Sequence, residues 1–281
     1  MRILHLDAGK EMRGGQWQVL RLIEGLAAQG VESTLLAREG APLFTEARRR
    51  GWRVMPLGIT SVLRCRRTHD LMHAHDARSH TLAAFIRSLP LVVSRRVSFP
   101  VGSRWKYGRA RRYLAVSEFV KGVLMRGGVP EEKIIVVYDG VPILDVARGH
   151  QILGLEKDSA LLAHMGLKVV TDLEHELAGA AMLVYVTNSE GLGSGALLAM
   201  SAGVPVIASN VGGLPEVIRH GENGLLVEND ADAIRRAIHE LQEDPERTRR
   251  IGDSARDTVM ERFTVEQMVR RTMEVYRQVT Q

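Results

Sequence analysis

The sequence predicts an α/β protein of two Rossmann-like domains facing across a cleft. Three observations carry that expectation. Short apolar strands alternate with helical segments along both halves, the pattern of mostly parallel sheets covered on both faces. Glycines follow a strand end in each half: Gly14–Gly15 early in the chain, and Gly191 with Gly193 late in it. Between the halves, around Val141–Gly149, stand Gly140, Pro142 and Gly149, and the charge sign reverses.

The elements follow in order. Arg2–Leu6 reads as the first strand, and Trp17–Gln29 as a helix with Val19, Leu20, Ile23, Leu26 and Ala27 on one side and Gly30 as its stop. Val31–Ala37 is a strand, Leu43–Arg50 a helix closed by Gly51, and Arg53–Leu57 a strand. Leu71–Ala74 opens into His75 and Asp76 before a helix over Ser79–Arg87. Leu91–Ser94 is a strand before a basic loop; Tyr113–Val116 is a strand, Ser117 caps a helix, and Ile134–Tyr138 is the last strand of the half. The second half is expected to run strand Ala160–Met165, helix Leu173–Ala180, strand Met182–Val186, helix Gly193–Ala202 and strand Val204–Ala208. A short helix Leu214–His220, strand Gly224–Val227 and helices Ala231–Leu241, Pro245–Glu261 and Val265–Val279 complete it.

Composition narrows the function. The chain has 281 residues, enough for two domains, with 45% hydrophobic and 25% charged residues. Aromatics are 5%, a poor basis for a base-stacking surface. The single cysteine, Cys65, excludes an intrachain disulfide framework and fits a reducing compartment. No apolar run is long enough to span a membrane, and the start lacks a signal-peptide layout, so a cytoplasmic location is expected. Residues 1–140 carry 24 Lys/Arg against 12 Asp/Glu, and residues 141–281 carry 14 against 21. A basic first half fits a phosphorylated or membrane-linked acceptor, with nucleic acid set aside; a solvated face is the plainer reading.

Parallel sheets bind ligands beyond the carboxyl ends of their strands, where Gly14, Gly15, His75, Asp76, Arg95, Glu190 and Gly193 all fall. Glycines before a helix let backbone N–H groups approach an anion, or they simply make a tight turn. Glu190-Gly191-Leu192-Gly193 precedes a helix starting near Ser194, a place suited to a diphosphate. Glu190 would accept hydrogen bonds from sugar hydroxyls or cap the helix; Gly212-Gly213 would wrap the far side of the sugar or only turn the chain. His73 and His75 share a face, but no third metal ligand is evident, so no metal is expected. His75 is then a polar wall or a structural histidine. Gly-Leu-Gly-Ser194-Gly is not the GxSxG of hydrolases, and the absence of GxGxxG gives no nicotinamide cofactor.

These residues resemble the retaining nucleotide-sugar glycosyltransferases of the GT-B fold, of the group 1 type. The resemblance rests on LAVSEFVKGVLMRGGVPEEKIIVVYDGV ending at Val141, on SEGLGSGALLAMSAGVPVIASNVGGLPEVI from Ser189, on GENGLLV and on RFTVEQMVRRTMEVY. The early glycine pair and His73-Ala74-His75-Asp76 also fit. The resemblance implies an acceptor-binding domain over 1–145, a donor-binding domain over 146–262 and a helix over 263–281 crossing back to the first domain. It implies donor contacts from Gly14, Gly15, Glu190, Gly191, Leu192, Gly193, Ser194 and Gly213, catalytic roles for His75 and Glu190, and acceptor contacts from Asp76, Arg95 and Arg96. Trp105 and Tyr107 are expected to lie at an interfacial or stacking surface.

The implied reaction moves a sugar from a nucleotide sugar to a glycan, phosphorylated or lipid-linked acceptor with retention of configuration. It needs no cofactor or metal, and the leaving diphosphate helps deprotonate the acceptor. Two departures stand out. Leu198 occupies the place of the second glutamate of the family's pair, which holds the ribose. Near 166–168 a segment with the diphosphate-clamping Arg and Lys and two strands is expected but absent. The readings are therefore a transferase of cell-envelope polysaccharide or lipopolysaccharide synthesis, a catalytically weak relative that binds nucleotide or glycan, and a nucleotide-sugar epimerase. Peripheral contact with an anionic membrane accompanies the first.

Overall fold

In the computed structural model, all residues but Arg148 and Asp158 are described, together with every side chain among them except that of Arg104. The chain divides into two compact units, Met1–Gly140 with Val265–Gln281, and Val141–Thr264.

The first unit is built on seven parallel strands: β1 Arg2–Asp7, β2 Glu32–Ala37, β3 Val54–Pro56, β4 Leu71–Ala74, β5 Leu91–Arg95, β6 Arg112–Ala115 and β7 Ile134–Val136. They lie in the order β3-β2-β1-β4-β5-β6-β7, so the strand order reverses beside β1 and β4. Strands β4 and β5 are buried at every residue, as covering on both faces requires. Their connections are α1 Gly14–Ala28, α2 Pro42–Arg49, α3 Ile59–Cys65, α4 Ala77–Ala84, α5 Arg104–Tyr107 and α6 Glu118–Arg126. One face packs Ile3, Leu22, Leu71, Val92 and Leu114 with residues of the C-terminal helix, among them Val269, Met273 and Tyr276. The other face packs Val19, Leu20 and Leu35 with Leu43 and Phe44 of α2.

The second unit carries β8 Gln151–Lys157, α7 Leu161–His164, β9 Lys168–Val169, α8 Leu173–Glu176, β10 Ala180–Thr187 and α9 Ser194–Ser201. It continues with β11 Val206–Ser209, α10 Leu214–Val217, β12 Leu225–Val227, α11 Ala231–Glu243 and α12 Pro245–Arg262. Its parallel sheet runs β12-β11-β10-β8-β9, with Met182, Val184, Val186, Ile207 and Ile234 in the core. The last helix, α13 Val265–Thr280, belongs to the first unit and packs on α1. The two helices approach so closely that a Cβ on Gly25 would stand 2.5 Å from Cγ2 of Val269.

Two expectations of the second half change. Ala160–Met165, expected as a strand, holds the helix α7, and the strand comes earlier as β8. A short apolar run does not distinguish the two forms by period; here Glu156 decides, accepting hydrogen bonds from the N–H groups of Leu162 at 2.9 Å and Ala163 at 3.4 Å, at the start of the helix. Ala180, expected to close a helix, opens β10. Through 166–168 the chain turns tightly: Gly166 has φ +76°, Leu167 N–H donates to Leu162 O at 3.1 Å, and β9 then pairs with β8.

Candidate functional site

In the second unit the candidate residues collect where β10 ends. The hydroxyl of Tyr185 donates to Oε2 of Glu190, whose Oε1 accepts the N–H of Gly191 at 2.8 Å. Lys157, paired in register with Thr187, places Nζ 3.8 Å from Oε2 of the same carboxylate and is half exposed. Gly193 then takes φ +107° to open α9, whose first turn has no acidic residue and no side-chain cap. A left-handed residue with a neighbour so near demands glycine, because a Cβ would lie 2.6 Å from Leu214 Cδ2. The partial positive charge of this helix start is therefore left without a protein carboxylate of its own first turn.

Gly212 and Gly213 press against this loop. A Cβ on Gly212 would stand 2.1 Å from the carbonyl oxygen of Glu190, and one on Gly213 at 2.1 Å from that of Gly191. The glycine pair thus sets the position of Glu190–Leu192 through backbone contact. Leu192 is buried, and so is Leu198, on α9. Lys168 is bound to Glu176 at 2.6 Å, away from the Glu190 loop in sequence and pairing. Sequence reasoning missed Tyr185 and Lys157; the signal for both was position near the carboxyl ends of neighbouring parallel strands, and the late placement of β8 hid Lys157.

In the first unit, Gly14 and Gly15 open α1, and nothing lies within 4 Å of where a Cβ on Gly15 would be. Asp7, at the end of β1, accepts from Gly9 N–H at 2.8 Å and Gln16 Nε2 at 3.1 Å. Burial first, and the neighbouring Asp76 second, push its carboxyl up to about 6. Asp76 caps α4, taking the N–H groups of Arg78 at 2.7 Å and Ser79 at 3.1 Å, and it also takes that of Ala8 at 2.6 Å. Its carboxylate therefore joins two loops.

His75 is 6% exposed, with Nε2 3.0 Å from Nδ1 of His5; His73 lies alongside, its ring centroid 4.0 Å from that of His75. Burial holds all three imidazoles neutral, His5 with its pKa lowered to about 3 and His73 and His75 well below the usual range. The third histidine, absent from the sequence reading, comes from β1, which pairs His5 with His73.

Arg95 is buried and donates to the carbonyl of Phe99, while Arg96 pairs with Asp139 at 2.8 Å, with 14% and 6% of the two side chains exposed. Both guanidinium groups thus have partners within the unit. Tyr107, expected at a surface, is 6% exposed and stacks on Tyr113 at 5.5 Å, because its carbonyl accepts the Tyr113 hydroxyl and draws the ring inward. Trp105 is exposed and lies 4.8 Å from the exposed ring of Phe85.

Two parallel-sheet units of this kind, with the C-terminal helix returned to the first, define the GT-B class. The family model for "Glycosyl transferases group 1" matches residues 157–258, and that for "Glycosyltransferase Family 4" matches residues 12–143. The chain is a GT-B-fold protein related to the group 1 glycosyltransferases.

It is similar to an alpha-maltose-1-phosphate synthase of Mycolicibacterium smegmatis, 36% identical over 111 residues, covering 37% of this chain and 29% of that protein. It is also similar to an N-acetyl-alpha-D-glucosaminyl L-malate synthase of Bacillus anthracis, 37% identical over 101 residues, covering 36% and 26%. The chain thus spans less than a third of the length of these curated relatives. Among solved structures it resembles Anabaena HepE in complex with UDP-glucose, with a TM-score of 0.87 at 16% identity over 99% of this chain and 100% of that one. Sucrose-phosphate synthase of Thermosynechococcus elongatus gives a TM-score of 0.77 at 18% identity over 99% and 98%.

Proposed function

We propose that the protein is a retaining glycosyltransferase that takes a nucleotide sugar at the Glu190–Ser194 turn of the second unit. The observation that carries this reading is the glycine-backed loop itself: Gly212 and Gly213 hold Glu190–Leu192 by backbone contact, and Gly193 starts a helix without an acidic first turn. Such an end attracts the diphosphate. The Glu190 carboxylate, oriented by the Tyr185 hydroxyl and the N–H of Gly191, accepts hydrogen bonds from sugar hydroxyls. Lys157 supplies a cation beside it, and neutralising a leaving diphosphate is a main source of rate in such transfers. The likeness to Anabaena HepE, solved in complex with UDP-glucose, makes a UDP-sugar the first donor to try.

The first unit receives the acceptor. His75 stands at the carboxyl end of β4 where the sheet order reverses. Its acceptor is a phosphorylated or lipid-linked glycan of the cell envelope, taken from a cytoplasmic membrane surface. Exposed Phe85, Phe99 and Trp105 supply apolar contact, and Arg87, Arg109 and Arg111 line a depression of about 310 Å³ on the same unit. Among the described residues no helix is long and apolar enough to cross a membrane.

The test is calorimetry with UDP and with UDP-glucose, followed by a hydrolysis assay on nucleotide sugars. The reading expects binding that Glu190→Gln weakens together with slow donor hydrolysis that the variant abolishes. Binding without turnover would favour the inactive-relative reading, which Leu198 supports; saturating titrations with no heat and no turnover across nucleotide sugars would remove both.

A further inference from the structure

One stretch of the first unit carries no acid at all. Residues 77–117 hold nine Lys and Arg and no Asp or Glu. The fold gathers three of those cations at one place. Arg87, Arg109 and Arg111 line the depression of about 310 Å³, with Leu89 and Pro90 among its walls. Arg87 and Arg111 are exposed and Arg109 is half-buried; among the described residues no carboxylate pairs with any of the three. Like charges around one hollow repel each other, so an anion held between them is favoured. The planar fork of an arginine suits the paired oxygens of a phosphate.

The hollow lies apart from the residues assigned to the acceptor. The end of α4, the turn into β5 and the residues just before β6 form it, so it sits at the amino ends of β5 and β6. His75 and Asp76 follow the carboxyl end of β4, and Arg95 closes β5. The five residues of β5 span ~16 Å between these two edges of the sheet.

Aromatic rings rim the hollow. Phe85 is 68% exposed and Trp105 is 46% exposed. Their ring centroids are 4.8 Å apart, and the Arg109 guanidinium carbon lies 5.3 Å from the centre of the Trp105 ring. A small free anion would engage the arginines and leave both rings in water. A lipid surface engages both, its phosphate meeting the cations while the rings enter the headgroup layer.

We propose that this edge of the first unit docks on an anionic phospholipid bilayer. One lipid phosphate enters the hollow between Arg87, Arg109 and Arg111, and Phe85 and Trp105 sink beside it. The site is separate from the one that performs transfer. It deepens the proposed function, and rests on that reading only for the membrane as the source of the acceptor.

The test is co-sedimentation of the full chain with vesicles of phosphatidylcholine alone and of phosphatidylcholine mixed equally with phosphatidylglycerol. The expected result is binding to the mixed vesicles only, weakened by added salt. Replacing Arg87, Arg109 and Arg111 together by Gln should lower that binding about a hundredfold, at roughly fivefold per arginine near such a surface. Arg235→Gln, on an exposed face of the second unit, should leave it unchanged. Bromine-labelled lipid should quench tryptophan emission in the wild type, and the quenching should fall in Trp105→Phe. If the triple variant fails to fold, Arg109→Gln and Phe85→Ser carry the test, each with weaker binding expected. Equal binding to neutral vesicles, binding untouched by the arginine variants, or single-stranded RNA held as tightly as the mixed vesicles would overturn the proposal. Inorganic phosphate bound at the arginines without any vesicle binding would also overturn it. Vesicle binding without sugar transfer would instead count against the transferase reading alone.

Discussion

Gly213 lies so close to Gly191 that a Cβ added to it would stand 2.1 Å from the Gly191 carbonyl oxygen. The loop bearing Glu190 therefore rests on bare backbone. Gly213→Ala must push that loop away, and overpacking of this kind costs ~1–3 kcal/mol. The expected result is a Tm lower by several degrees, with donor affinity reduced about tenfold or more. Thermal melts and calorimetry check it; unchanged values for both would show that the loop does not need this contact.

Tyr185 holds Glu190 by a hydrogen bond to a carboxylate oxygen. Hydrogen bonds to charged groups are worth about 1.5–3 kcal/mol. Tyr185→Phe should lower kcat/KM about tenfold through kcat while the donor KM moves little, because the variant frees the acid that meets the sugar. A fall in Tm with unaltered kinetics would make Tyr185 structural only.

Stability should depend on pH through the buried histidines. His5 and His80 have their pKa lowered from 6.5 to about 3, in each case chiefly by burial. The unfolded chain binds those protons first, so stability present above pH 6.5 is lost as pH falls toward 3. Asp7 acts oppositely. Its carboxyl is raised from 3.8 to about 6, so it favours the folded state at low pH and withdraws that support as pH rises through 6. Urea titrations across pH 4–7 should show stability rising with pH, and rising more steeply in Asp7→Asn. His80→Phe should flatten the slope. A flat wild-type profile would contradict the neutral buried rings.

Arg96 and Asp139 form a buried pair. Removing one partner of such a pair strands the other and costs about 3–5 kcal/mol. Arg96→Met and Asp139→Asn should each be strongly destabilising, and the double variant less so than the sum. Additive losses in denaturant titrations would show the two groups to be independent. A drop in acceptor use with normal stability would support Arg96 as an acceptor contact.

Much of this was legible along the chain. The α/β class and two parallel sheets follow from apolar strands alternating with helical periods, and the Glu190–Gly193 turn from glycines set between a strand and a helix. What was hidden depends on contacts distant in sequence. His5 meets His75 only because β1 pairs with β4. Lys157 meets Glu190 only because β8 lies beside β10. The strand expected at Ala160–Met165 is a helix because a side chain outside it, Glu156, caps it. Arg95 and Arg96 read as acceptor contacts at the head of a basic loop; in the fold Arg95 is buried against the Phe99 carbonyl and Arg96 is paired with Asp139, contacts the sequence does not show.

Hydrogen exchange with and without a nucleotide sugar tests the central claim most directly. The account predicts slowed exchange at the amides of Gly191 to Leu197 when UDP-glucose or another nucleotide sugar is bound. Saturating binding that leaves those amides unprotected, with protection confined to other segments, would contradict it.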